Sequence, residues 1–153
     1  MKKLALLLAL AFGSVTLTSV QAHDHAATPL EAALAQYVIV QTALAGDSLK
    51  GVPEAASAIA AAAKESAGAL PETTASQAEA LAKASDIKAA RAAFKLLSNT
   101  LITVLNSQKE KTGHYYEAFC PMANAAWIQN SKKIANPYYG ASMLTCGEIR
   151  KEL

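Results

Sequence analysis

The sequence predicts an all-α domain, an up-and-down bundle of three or four helices that carries a small, aromatic and partly irregular C-terminal cap. Three observations support this prediction. Apolar residues recur at helical spacing in two segments, helix start and stop residues bracket several segments, and the connections between them are short. The aromatic run of the cap, residues 115–119, can add one short strand.

Residues 1–22 have the three parts of a secretory signal peptide. Lys2 and Lys3 form a basic start, an apolar run extends to Phe12, and Ala22 closes a cleavage site of short side chains. A transmembrane anchor fits less well, because polar residues interrupt the apolar run soon after Phe12. We therefore expect an exported bacterial protein of the periplasm, with no membrane insertion after signal cleavage.

The two basic residues Lys2 and Lys3 also account for the whole formal net charge of +2. Without them the chain is neutral. This argues against a nucleic-acid-binding protein, because such proteins carry a clustered positive excess. Residues 28–153 are long enough to bury a core, and we expect them to form a single domain.

Residues 23–27 are expected to be a disordered leader that contains His23 and His25. If cleavage follows Ala22, the new amine and the histidine at position three can hold Cu(II) or Ni(II), which prefer nitrogen donors in tetragonal geometry. The alternative is a short polar leader that only assists cleavage.

The first helix of the domain is predicted to begin at Thr28, where Pro29 and Glu31 complete a capping box. Gly46 and Asp47 are expected to end it. The residues between them that recur at helical spacing are Leu30, Leu34, Tyr37, Gln41 and Leu44.

The second helix is expected to begin at Pro53 and to end before Gly68. Most of its residues are alanine, which favours helix but buries little area, so close packing must hold it. Thr74 and Gln77 offer a capping box for a short third helix that ends near Ala84.

The fourth helix has the longest apolar stripe in the chain. Ser85 or Asp86 is expected to cap its start, and Gly113 is expected to stop it. The stripe consists of Ile87, Ala90, Phe94, Leu97, Leu101 and Val104.

Residues 114–147 hold all the sulfur of the domain: Cys120, Met122, Met143 and Cys146. The first two lie two residues apart and share a face of an extended segment, and the last two share a face of a helical turn. Two thiolates and two thioethers form a soft site of the kind that selects Cu(I) or Ag(I). His114 is a further candidate ligand.

The alternative for the same residues is a disulfide between Cys120 and Cys146, which is common in oxidising compartments. It would stabilise the chain by about 3–4 kcal/mol through loop closure, and the methionines would then fill an aromatic core. The module would in that case hold no metal and would serve as a structural or interaction module of the cell envelope.

Catalysis is not expected, because no sequence motif of known catalytic mechanism occurs. His114 is the one histidine outside the leader, and the sequence shows no acid–base partner for a nucleophile. We therefore predict a protein that is not an enzyme.

Several short runs of the C-terminal module form a combination that is specific enough to identify a family. They are YEAFCPMA at 116–123, Trp127, NPYYG at 136–140 and MLTCG at 143–147. Together with Tyr37–Asp47 and the residues Asp86, Ile87, Arg91, Phe94 and Ser98, they resemble a bacterial periplasmic domain family of unknown function. That family occurs alone and as a C-terminal extension of periplasmic adaptor subunits of copper/silver-type heavy-metal efflux pumps.

The resemblance implies an association with metal handling, with Cys120, Met122, Met143 and Cys146 as candidate ligands. It also implies an efflux adaptor or another envelope protein as partner. The sequence therefore predicts a periplasmic protein that binds a soft metal, with Cu(I) first among the candidates, and that is accessory to efflux or resistance.

Overall fold

The computed structural model describes residues 27–109 and 113–153, so the predicted signal peptide and both histidines of the predicted leader lie outside the described residues. Four helices precede a small sheet. The elements are α1 (Pro29–Ala45), α2 (Val52–Glu65), α3 (Glu72–Ala82), α4 (Ile87–Ser107), β1 (Tyr116–Cys120), β2 (Ala125–Gln129), the 3-10 helix η1 (Gly140–Met143) and β3 (Glu148–Glu152). Among the described helices, none combines the length and hydropathy that a membrane span requires.

The all-α prediction is wrong, because the C-terminal region forms a three-stranded antiparallel sheet of order β2-β1-β3. Of the three strands, only β1 could be expected from the sequence, because it contains the aromatic run. Four of the five β2 residues are buried, so the strand lacks the alternation of a half-exposed strand. Strand β3 reads EIRKE and is largely exposed at the sheet edge, where charged side chains are common.

Two of the predicted helix starts are confirmed. The side chains and backbones of Thr28 and Glu31 form the reciprocal capping box of α1, and Asp86 accepts a 2.9 Å hydrogen bond from the Ala89 N–H at the start of α4. Helix α3, however, begins at Glu72, so the capping box predicted at Thr74 is wrong.

The predicted stop of the fourth helix is also wrong. Helix α4 ends at Ser107, with Gln108 in extended conformation as its C-cap, well before the expected stop at Gly113.

The helical core is built from the two stripes that the sequence predicts. The stripe of α4 is buried from Ala90 to Val104, and that of α1 is buried from Leu34 to Leu44. The rings of Tyr37 and Phe94 stack at 4.7 Å and join these two helices. Each helix also packs against the next one in sequence, and β2 packs against α4 and α1.

The outer edge of β2 is closed by two tyrosine hydroxyls in place of a further strand. The Tyr37 hydroxyl accepts a 3.2 Å hydrogen bond from the Ile128 N–H, and the Tyr138 hydroxyl donates one of 2.7 Å to the Ala126 carbonyl. The Tyr37 hydroxyl also lies 2.6 Å from Ser98 Oγ, which donates to the backbone of α4. The helices thereby satisfy an edge that would otherwise leave polar backbone groups unpaired.

Candidate functional site

The two cysteines meet where the sheet joins the loop that precedes β3. Cys120 ends β1 and is completely buried. Because Glu148 pairs with Phe119, the residues just before β3 lie beside the C-terminal end of β1. This register brings the Cys146 sulfur to 2.6 Å from the Cys120 sulfur. Both thiols are free in this structure.

The buried side chain of Asn136 fixes the backbone that carries Cys146. Its Nδ2 donates a 2.8 Å hydrogen bond to the Cys146 carbonyl oxygen. Its Oδ1 accepts hydrogen bonds of 2.8 and 3.3 Å from the N–H groups of Tyr138 and Tyr139. Its own N–H donates to the carbonyl of Leu144 at 2.8 Å. The NPYYG run therefore supports the cysteine site.

The residue after Cys146 must be glycine for the strands to approach. Gly147 has φ 137°, in the region that favours glycine. A Cβ there would lie 2.8 Å from Trp127 Cη2 and 2.9 Å from the Phe119 carbonyl oxygen. A side chain at this position would therefore push the Cys146 segment away from β1.

An ion pair attaches the same loop to the helices. Arg91 on α4 donates to the Pro137 carbonyl at 2.7 Å and to Asp47 Oδ1 at 2.6 Å. Asp47 also accepts a 2.8 Å hydrogen bond from the Ala141 N–H. The hydrogen bond from the Ala141 N–H is the main cause of a lowered pKa of Asp47, and the hydrogen bond from Arg91 is the next largest cause. A Cβ at Gly140 would overlap the Asp47 carboxylate.

The surroundings of the two thiols favour negative charge on Cys120. Burial raises the pKa of Cys120, but hydrogen bonds from Cys146, from the N–H groups of Ala123 and Met122, and from Asn136 outweigh it, so the net pKa is lowered. The hydrogen bond to Cys120 raises the pKa of Cys146, and burial adds to the effect. Cys120 is therefore expected to carry the first thiolate.

The two methionines lie in the segments next to the thiols: Met122 in the turn after β1, and Met143 at the end of η1. Met122 is 64% exposed, and its backbone carbonyl accepts a hydrogen bond from the Tyr139 hydroxyl. Met143 ends η1 and is partly buried, and its carbonyl accepts a 3.0 Å hydrogen bond from the Cys146 N–H. Each predicted thioether donor thus lies within three residues of a thiol in the sequence.

The structure separates His114 from the thiols. His114 is exposed and precedes β1, whereas Cys120 ends that strand, so the two lie about 20 Å apart along an extended chain. The leader residues His23 and His25 lie outside the described residues. Within residues 27–109 and 113–153, no group of three His, Cys, Asp or Glu residues could hold a metal ion.

Only one of the two thiols borders a surface groove. The groove has a volume of about 280 Å³, and Cys146 lines it together with Phe119, Pro121, Gly147 and Glu148. Cys120 is buried and does not line this groove. The two sulfur atoms therefore differ in access from the solvent even though they touch each other.

Sequence reasoning missed the residues that position the site, above all Asn136 and Arg91. The NPYYG run predicts a turn, but the contact of Asn136 with Cys146 spans ten residues and has no periodic signal. Arg91 likewise contacts residues more than 40 positions away in sequence. Neither contact could be read from local spacing.

Together the fold and the site define a small α+β domain, four helices closed by an antiparallel sheet, with two contacting thiols at the end of the central strand. The chain belongs to the family described as protein of unknown function DUF3347, whose model matches residues 33–113. The matched region runs from within α1 through α4 and ends before β1, so it includes neither cysteine. No curated protein and no solved structure gives a significant match.

Proposed function

We propose that this protein binds a soft monovalent metal ion, Cu(I) first among the candidates, in the bacterial periplasm. Cys120 and Cys146 would supply thiolate ligands, and the ion would pass to a heavy-metal efflux or resistance system. The observation that supports this function best is the contact between the two sulfur atoms, at 2.6 Å. The efflux association rests on the motifs around Cys120 and Cys146 that resemble adaptor extensions.

The available donor set suits a soft ion better than zinc. Structural zinc sites use four protein ligands drawn from Cys, His, Asp and Glu, and the described residues offer no cluster of even three. Thiolates and thioethers instead select Cu(I). Met122 and Met143 lie two and three residues from a cysteine in the sequence and can add thioether donors.

Cys120 is also prepared for deprotonation, which soft-metal binding requires of its thiol ligands. Burial raises the pKa of Cys120, but hydrogen bonds from Cys146, from the backbone of Ala123 and Met122 and from Asn136 lower it by more. These donors stabilise a thiolate in a buried position.

A second candidate function is a structural or interaction module without metal, because the same sulfur contact allows a disulfide. In that case the Cys120–Cys146 bond would staple the loop to the sheet. The exposed side chains of Met122 and Leu144 would form part of a docking surface for an efflux adaptor or another envelope protein.

An anaerobic titration of the fully reduced protein with Cu(I), in competition with a chromogenic Cu(I) chelator, tests the first function. We expect one ion per chain and loss of binding in both Cys120→Ser and Cys146→Ser. Met122→Leu should weaken binding less than either cysteine variant. His114→Ala is the matched control and should leave the affinity unchanged, since His114 lies at the far end of β1.

Two results would overturn the metal proposal. One is the absence of Cu(I) binding by the reduced protein, and the other is an affinity that does not change in the cysteine variants. The intact mass of protein isolated without reductant would then decide for the disulfide module, which requires two hydrogens fewer and no alkylation by iodoacetamide.

A further inference from the structure

We infer that the cysteine pair is a thiol–disulfide exchange site with a fixed polarity. An external thiolate attacks the Cys146 sulfur through the groove, and Cys120 is the leaving thiolate. This inference goes beyond metal binding and concerns the oxidised form of the pair, so it does not depend on the proposed ion.

Access to the two sulfur atoms sets the direction of attack. Cys120 is completely buried at the end of β1. Cys146 is partly exposed and lines the groove of about 280 Å³ with Phe119, Pro121 and Glu148. A thiol from solvent can therefore reach Cys146 through the groove, whereas Cys120 is closed to it.

The access of the two atoms also fixes the leaving group. An external thiolate that bonds to the Cys146 sulfur displaces its disulfide partner, which is the buried Cys120 sulfur at the end of β1.

The exchange is balanced with a thiol as its co-reactant. The external thiolate forms a bond with Cys146 Sγ while the bond between Cys146 Sγ and Cys120 Sγ breaks, and the electron pair passes to Cys120. A second external thiolate then attacks the external sulfur of the mixed disulfide and releases Cys146 as thiolate. The products are the reduced protein pair, after uptake of two protons, and one external disulfide.

The first experiment identifies which cysteine carries the mixed disulfide. The oxidised chain is treated briefly with reduced glutathione, quenched with acid and alkylated with N-ethylmaleimide. Tryptic cleavage after Lys132 and Lys133 places the two cysteines on different peptides. We expect glutathione on Cys146 and maleimide on Cys120. Glutathione on Cys120, equal labelling of both, or a chain that forms no internal disulfide would each overturn the inference.

A second experiment keeps both cysteines and fills the groove. Glu148→Trp places a large side chain at an exposed strand position that lines the groove and should slow the reaction with glutathione roughly tenfold, because exchange depends on access. Glu152→Trp is the matched control at the far end of β3 and should react at the rate of the unaltered chain. Equal rates in both variants would contradict attack through the groove.

Discussion

The side chain of Asn136 donates a 2.8 Å hydrogen bond to the carbonyl oxygen of Cys146, ten residues further along the chain. The same side chain accepts hydrogen bonds from the backbone of the NPYYG turn. One buried amide therefore connects the most recognisable loop of the sequence to the thiol that faces the groove. The geometry of the site depends on this loop as much as on the sheet.

Asn136→Ala should destabilise the reduced protein by about 2–3 kcal/mol, since it leaves several buried backbone groups without partners. Denaturant unfolding in the presence of reductant measures this change. Asn99→Ala, at an exposed position of α4, is the control and should change the free energy of unfolding by less than about 0.5 kcal/mol. Similar values for the two variants would show that Asn136 does not organise the loop.

Gly140→Ala should destabilise the protein by about 2 kcal/mol or more, because φ is +56° and the new Cβ would overlap the Asp47 carboxylate. Gly68→Ala is the control: φ is +90° there, but no atom lies near its Cβ position. The difference in unfolding free energy between the two variants measures the overlap with Asp47. A difference of zero would mean that the loop shifts without cost.

Stability should fall at high pH because burial raises the pKa of both Tyr37 and Tyr138. A raised pKa means that the fold favours the neutral hydroxyl. The stability that these two neutral hydroxyls contribute to the fold is thus complete below the pKa of an unfolded tyrosine, near 10, and is lost progressively above it. Thermal unfolding between pH 8 and 11 should show this decline, and Tyr37→Phe should reduce its slope. A Tyr37→Phe slope equal to that of the unaltered chain would contradict the assignment.

Tyr138→Phe should also destabilise the protein at neutral pH by about 1 kcal/mol, because the Ala126 carbonyl on the edge of β2 loses its donor. Tyr139→Phe, which removes a hydroxyl bound to the more exposed Met122 carbonyl, is the matched comparison. We expect the smaller loss for Tyr139→Phe in denaturant unfolding. The reverse order would argue against the role of Tyr138 in closing the sheet edge.

Oxidation of the cysteine pair should raise the free energy of unfolding by about 3–4 kcal/mol, as loop closure in the unfolded chain predicts. Unfolding of the chain with and without reductant measures the difference. Cys120→Ser and Cys146→Ser serve as controls and should show no dependence on reductant. Lack of any difference in the unaltered chain would exclude a disulfide that staples the loop.

The helices could be predicted from the sequence because their signals are local. Thr28 and Asp86 cap helices through residues three positions away, and the stripe that includes Tyr37 and the one that includes Phe94 follow helical spacing over several turns. The start of α3 was misplaced because Thr74 lies inside its first turn and is buried, so its hydroxyl does not mark the helix start.

The sheet could be predicted only in part. The sequence favoured one strand around Phe119, but strand β2 is buried on both faces and β3 is charged, so neither has a period of two in hydrophobicity. The contact of Cys120 with Cys146 follows from the pairing of β1 with β3. Because β3 could not be predicted, the contact between the two thiols could not be predicted either. The sequence shows only that both cysteines lie in one module, residues 114–147.

The most direct test of the proposed function is the copper K-edge X-ray absorption spectrum of the reduced protein loaded anaerobically with one equivalent of Cu(I) and then desalted. The proposal predicts retained copper in a shell of sulfur ligands that includes the thiolates of Cys120 and Cys146, and this shell should be lost in Cys146→Ser. Copper removed by desalting, or a shell of nitrogen and oxygen ligands, would contradict it.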